Sequence, residues 1–384
     1  MRYLPVFAAA AIQAIAASIP PISPIFSGPC AILPPSNDTE TPTYDGMQSG
    51  ATSLWGHEGS GGPKKWTELY IKGITLIPYC FPTEEHRKAN VEKLEAAIRV
   101  WMTALGGGPS PGTNHKIIFS EYVDFSQNPR YCIDVNSPAE SKWNMAVPYK
   151  TVAIWKDDGV GKAAAASTVG MGDTPGKPWD LNMWIDVEAS VTTVAHELGH
   201  VMGMMHEQQR SDRDRYIHYD CTKLTDYRTA LARARESDPS TTTDELCNDV
   251  TIADRYNFSG RSYTDTVLYG KSEDGWTLNP DSPYDANSIM HYHSYIMGNE
   301  NCLNGNQAEC PVARYRDSTN HDLGYEMIPM WSRPSSWDVA WVKTQYGWRY
   351  SGAEQGAQDG GEIGEARLEE LIERGRKLYV QGQV

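Results

Sequence analysis

Apolar positions along the chain follow two periods and then lose both. Residues 74–81, ITLIPYCF, form a short apolar run of strand length. Thr83 followed by Glu84 and Glu85 reads as a helix start, a capping hydroxyl with acids in the first turn. Val91, Leu94, Ile98, Trp101 and Leu105 then recur at three- and four-residue intervals as one buried stripe, which Gly106, Gly107 and Gly108 end. Residues 116–122, 151–155 and 182–186 predict further strands. A second helix is expected from about Ser190 to Gly203, with Val191, Val194, Leu198 and Val201 on one face. Strands mixed with helices predict a sheet layered with helices. Beyond residue 206 the chain is polar and irregular, with few clear periods.

The two ends read differently from the middle. Arg2 precedes an uncharged stretch that lasts until Asp38, and residues 6–19 are a short alanine-rich apolar run closing on small residues. That pattern predicts a secretory signal peptide at 1–17. The run is too short to cross ~30 Å of hydrocarbon, and Pro20 and Pro21 stop it at once, so a secreted, extracellular protein without a membrane partner is expected. Residues 18–65, rich in Pro, Gly, Ser and Thr, are expected to be a pro-segment or flexible leader ahead of a catalytic domain at 66–350. Residues 351–384 predict an acidic linker and a short helix, in which Glu370–Arg374 and Glu373–Lys377 pair at i, i+4.

Charge and cysteine usage narrow the partners. The 384 residues carry 34 basic and 49 acidic side chains, a formal charge of −15, with no Lys/Arg-rich run to displace phosphate counterions. Nucleic acid is excluded as a partner, and a monomer is expected. Of the seven cysteines six lie beyond residue 66, which suits an oxidising compartment. Sequence does not choose their connectivity. Proximity favours Cys302–Cys310 and Cys221–Cys247, leaving Cys80–Cys132 and an odd Cys30. Asn37-Asp38-Thr39 and Asn257-Phe258-Ser259 are glycosylation sequons.

The second helix carries His196-Glu197-Leu198-Gly199-His200. At 3.6 residues per turn, histidines four apart share a face and can reach one ion. Gly203 can turn the chain sharply, so that His206 returns to the same ion as a third ligand. Three imidazoles with an open position suit one catalytic Zn2+. Glu197, off the histidine face, is placed to take a proton from the attacking water and pass it to the leaving nitrogen. The spacing HExxHxxGxxH fixes three ligands, a base and a turn together, which a bare HExxH does not.

From His196 to Tyr216 the chain reads HELGHVMGMMHEQQRSDRDRY, and Ser288 to Tyr292 reads SIMHY. These runs resemble the astacin family of the metzincin zinc peptidases, in which E-x-x-R-x-D-R-D follows the third histidine and SxMHY is the Met-turn. The resemblance implies an α+β, metzincin-like zincin. Its upper subdomain would hold a mixed twisted sheet and two long helices, above a largely irregular lower subdomain. It implies a zinc endopeptidase acting on proteins or peptides. Met290 would floor the ligands, Tyr292 would act as a mobile ligand and oxyanion donor, and Glu207 would receive a freed amino terminus or else stand as a structural carboxylate paired with a neighbouring arginine. Ser167-Thr168-Val169-Gly170 resembles the edge strand to which substrate adds.

Three departures stand against the resemblance. The cysteines flanking the edge strand are absent. His206 and Met290 lie 84 residues apart, which predicts an insertion across roughly 221–285. The inhibitory F-x-G-D motif has Phe26-Ser27-Gly28-Pro29 in its place, so Cys30 is the candidate latency ligand, or else a spare cysteine of the leader. His218, His291 and His293 are expected to hydrogen-bond in loops rather than bind the ion. A secreted scaffold that has lost catalysis, and a serralysin-like zincin, are the competing readings. The Glu207-to-Asp214 run argues against the latter.

Overall fold

In the computed structural model, residues 30–33, 65–67, 73–124, 126–137, 142–157, 165–171, 181–264 and 283–348 are described. The expected signal peptide, most of the leader with Asn37, and the C-terminal linker and helix lie outside them.

The chain builds β1 (Cys30–Leu33), β2 (Thr75–Cys80), α1 (Glu84–Leu105), β3 (Ile117–Glu121), β4 (Val152–Asp157), β5 (Ala165–Thr168), β6 (Asn182–Asp186) and α2 (Val191–Met202). The six strands form one sheet in the order β1-β5-β6-β4-β2-β3. β5 runs antiparallel to β6, and β6, β4, β2 and β3 are mutually parallel. Every residue of β2 is buried, as its apolar run predicts. Pro78 is tolerated inside this strand because the ladder to β4 begins only at Tyr79.

α1 has the expected limits, and Leu94, Trp101 and Leu105 of its stripe are fully buried while Val91 and Ile98 are half-buried. Thr83 stands at the N-cap, yet it caps no backbone N–H. Its hydroxyl meets His86 Nδ1 at 2.9 Å. Trp101 Nε1 donates to the Ala195 carbonyl at 2.7 Å, which pins α1 to α2 beneath the sheet. Trp66 joins the same core and donates Nε1 to the Val201 carbonyl at 2.8 Å.

Past residue 206 the structure forms short elements where the sequence has no visible period. They are β7 (Ile217–Tyr219), α3 (Tyr227–Ser237), α4 (Thr243–Asn248), α5 (Val250–Arg255), α6 (Glu300–Leu303), β8 (Val312–Tyr315), β9 (Tyr325–Glu326) and α7 (Ser336–Gln345). Strands β7, β8 and β9 make a small antiparallel sheet. A second core gathers Ile217, Leu246, Phe258, Tyr263, Tyr292 and Ile328. The fold is a mixed α+β arrangement, with the large sheet and two long helices above and turns, short helices and the small sheet below. Cys80–Cys132, Cys221–Cys247 and Cys302–Cys310 form bridges, the pairing that proximity favours.

One element falls where the sequence predicts none. Residues 30–33, within the stretch expected to be a leader, form β1, which pairs in parallel with β5, Cys30 opposite Ala165 and Leu33 opposite Thr168. The outer edge of β5 thus carries a strand of the chain itself. A Pro- and Gly-rich segment has no period of its own, so only the long-range pairing reveals this strand. Among the described residues no helix is long and apolar enough to cross a membrane.

Candidate active site

α2 starts and stops as its sequence dictates. Ser190 Oγ accepts the Thr193 N–H at 3.0 Å, satisfying one orphan donor of the first turn. At the other end Gly203 adopts φ +105°, where a side chain would be strained. Gly203 N–H donates to the His200 carbonyl at 2.8 Å and Met204 N–H to the Gly199 carbonyl at 2.9 Å, the paired bonds of a Schellman turn. That turn reverses the chain and returns His206 to the helix.

The Nε2 atoms of His196, His200 and His206 lie 3.1 Å apart in all three pairs. Among the described residues they are the one group of His, Cys, Asp and Glu side chains that could hold a metal ion. His196 Nδ1 faces the Ile289 carbonyl at 2.6 Å, His200 Nδ1 the Met204 carbonyl at 2.7 Å, and His206 Nδ1 the Gln209 Oε1 at 3.2 Å. Those oxygens only accept, so each ring carries its proton on Nδ1 and turns an Nε2 lone pair toward the other two. Burial pushes His196 down to about 4 and the other two well below the ordinary histidine range, so the neutral form is favoured. Three buried lone pairs at this spacing repel unless a cation lies between them. Tetrahedral zinc with ~2.0–2.1 Å bonds sets its nitrogens ~3.3–3.4 Å apart, close to what is seen, so the donor set fits the ion.

Glu197 is wholly buried and its Oε2 accepts the Ser167 hydroxyl at 2.7 Å. Ser167 lies on β5, so that strand and the helical glutamate are joined directly. Met290 is buried against α2. A Cβ placed on Gly199 would collide with Met290 Sδ and lie 3.2 Å from its Cε. The Tyr292 ring lies 4.4 Å from that of His206.

Glu207 is buried, accepting from Arg210 Nη1 at 3.1 Å and from the Asp285 N–H at 2.8 Å. Burial pushes its carboxyl up to about 8, against the pull of Arg210. Arg210 also grips Asp212 with two bonds of 2.9 Å, and the side chains of Arg210 and Arg213 are buried while Asp214 is exposed. The charged run is therefore internal at its arginines. Cys30 opens β1. His291 meets the Tyr292 carbonyl and the Tyr284 hydroxyl, both at 2.7 Å, and His218 stacks on Tyr325. These two and His293 lie outside the metal-competent group.

Several contributors escape the sequence reading. Asp338, at the start of α7, accepts from Ser288 Oγ at 2.6 Å and from the Ile289 N–H at 2.9 Å, and Ile289 in turn orients His196. The capping box of Ser335 and Asp338 is a local signal that marks this helix start. Gln209 stands three residues after the ring it orients. The link from Ser167 to Glu197 has no local signal.

Three imidazoles converge on one point, and a buried glutamate lies between two of them on one helix, a donor set that could hold a metal ion. Residues 161–273, which hold the triad, Glu197 and β5, match the peptidase family described as Astacin. That stretch is similar to the astacin peptidases, and the chain is a metalloendopeptidase by class. No curated protein matches the sequence.

Among solved structures, High choriolytic enzyme 1, a hatching enzyme zinc-protease from Oryzias latipes (Medaka fish), is 16% identical with a TM-score of 0.38. It covers 74% of this chain and 94% of its own. Myroilysin is 16% identical with a TM-score of 0.32, covering 73% and 95%. With scores this low, the assignment rests on the family match and on the site itself.

Proposed function

We propose that the chain is a secreted zinc endopeptidase that hydrolyses internal peptide bonds of proteins or peptides. His196, His200 and His206 would hold one Zn2+. When bound, the ion supplies Lewis-acid polarisation of a water and of the scissile carbonyl. Glu197 accepts a proton as the water oxygen bonds to the carbonyl carbon, and returns it to the amide nitrogen as the C–N bond breaks. Ser167 fixes the carboxylate that does this. The Tyr292 hydroxyl donates to the oxyanion as charge develops there. Met290 fills the space beneath α2, and Gly203 makes the turn that His206 requires.

An extended substrate adds to β5 by main-chain bonds. β1 uses that edge, which supports a leader that must leave before substrate enters. Cys30, at the start of β1, is the candidate latency ligand. The convergence of three Nε2 lone pairs at 3.1 Å carries the reading. Metal analysis of the purified chain tests it. One zinc per chain, lost in His206→Ala together with peptidase activity, is expected. A chain that takes up no zinc would overturn it.

A further inference from the structure

The Tyr292 ring makes two ring contacts. It meets His206 at 4.4 Å and 55°, and the Tyr263 ring at 5.3 Å and 79°, an edge-to-face contact. Tyr263 stacks on Tyr219 at 4.9 Å and 15°, and the Arg213 guanidinium covers Tyr219 at 4.6 Å. One continuous column thus runs from Arg213 to the metal-competent triad. The backbone of Tyr292 is tied to the same place. Its N–H donates to Gln208 Oε1 at 3.0 Å, and Gln208 Nε2 donates to the Ser262 carbonyl at 3.3 Å.

The turn supplying these contacts is itself fixed. The N–H and hydroxyl of Ser259 donate to the two carboxylate oxygens of Asp226 at 2.8 and 2.6 Å. Arg261 pairs with Asp254 at 2.7 Å, and the Tyr263 hydroxyl donates to the Ile296 carbonyl at 2.9 Å. Cys221–Cys247 ties the turn after β7 to α4. Residues 262 and 263 therefore contact Gln208 and Tyr292 beside the triad.

We propose that Tyr263 is a positioning residue, whose ring sets Tyr292 against His206. The inference rests on the role assigned to Tyr292 above. A tyrosine that must both lie beside a ligand and present its hydroxyl to an oxyanion has two allowed positions. Tyr263 is held at its hydroxyl and at its stacked face, so its ring limits the orientations open to the Tyr292 ring in contact with it. Without that ring Tyr292 samples orientations in which its hydroxyl misses the reacting carbonyl. Substrate binding along β5 does not involve this ring. The loss should therefore fall on turnover.

The test uses Tyr263→Met, which fills most of the volume without a ring, and Tyr263→Phe, which keeps the ring. Kinetics are measured on the zinc-loaded, leader-cleaved chain. The ring-current position of the His206 Cε1–H resonance is read in the full, metal-free, 13C-histidine-labelled chain, assigned with His206→Gln. Tyr263→Met is expected to lower kcat ~10-fold (~1.4 kcal/mol) with KM within ~2-fold, and to shift the His206 resonance; Tyr263→Phe should keep both close to wild type. Should Tyr263→Met fail to fold, Tyr219→Leu, one ring further from Tyr292, is expected to give the same pattern at smaller size. Unchanged kcat and an unmoved resonance in a folded ring-less variant would overturn the proposal. If Tyr292→Phe keeps full kcat, the oxyanion role falls instead. The resonance then still decides whether Tyr263 holds Tyr292.

Discussion

Ser167 donates its hydroxyl to Oε2 of Glu197 across 2.7 Å, and both side chains are fully enclosed. The partners are 30 residues apart in sequence, one on β5 and one in the helix that supplies two of the histidines. The same hydroxyl lies 3.2 Å from the Glu197 carbonyl, so it orients both ends of the residue.

A carboxylate that loses the Ser167 hydroxyl gains rotational freedom where the reaction needs it aimed. Hydrogen bonds to charged groups contribute ~1.5–3 kcal/mol, of which part should appear in turnover. Ser167→Ala is therefore expected to lower kcat ~10-fold at unchanged KM and zinc content, with Ser167→Thr recovering most of it. Full turnover in Ser167→Ala would show that Glu197 is aimed by other contacts.

Met290 and Gly199 share one space. The Met290 thioether sits where a Cβ on residue 199 would go. Gly199→Ala is expected to destabilise the chain by ~1–3 kcal/mol through overpacking, read from urea unfolding. In a Met290→Ala background the same substitution should cost less. An equal cost in both backgrounds would place the strain elsewhere.

Asp338 acts on the site through two bonds in series. It fixes Ser288 and Ile289, and the Ile289 carbonyl fixes His196. Groups that orient metal ligands commonly contribute ~10–100-fold to affinity. Asp338→Asn is expected to weaken zinc affinity about 10-fold, measured by chelator competition, and unchanged affinity would remove this chain of support.

Acid sensitivity has a definite sign at His291. Burial pushes its imidazole down to about 4, while in the unfolded chain it titrates near ~6.5. Its neutral form is thus favoured by folding, so its contribution is complete above pH ~6.5 and is lost as pH falls toward 4. The slope is ~1.4 kcal/mol per pH unit for one proton. The unfolding free energies of wild type and His291→Gln should converge by about that amount per unit between pH 6.5 and 4. Parallel curves would mean that His291 titrates alike in both states.

Cys30 is open to a direct check. Cys30→Ser is expected to raise the activity of the uncleaved chain several-fold, since thiolates bind zinc well. Unchanged latency would leave the pairing of β1 with β5 as the whole of the leader's hold.

What could be read along the chain was what is local in it. Ser190 and Gly203 bound α2 because capping and left-handed turns are single-residue signals. The histidine spacing is legible because one helix and one turn contain it. Ser167, Asp338 and Tyr263 were not legible in these roles, since each acts on a partner that the fold brings close from a distant stretch of chain. α4 and α5 have six residues each, too few to display a period, although Thr242 and Asp249 cap them. Thr83 taught the converse lesson. Its position was right, but its hydroxyl turned to His86 instead of the backbone.

The most direct measurement is hydrolysis of an unfolded protein by the leader-cleaved, zinc-loaded chain beside Glu197→Ala at the same zinc content. Rapid cleavage at internal bonds by the wild type, and a loss of at least ~1,000-fold in the variant with zinc retained, is expected. Equal rates in the two, or no cleavage by either, would contradict a site in which three imidazoles hold the ion and Glu197 moves the proton.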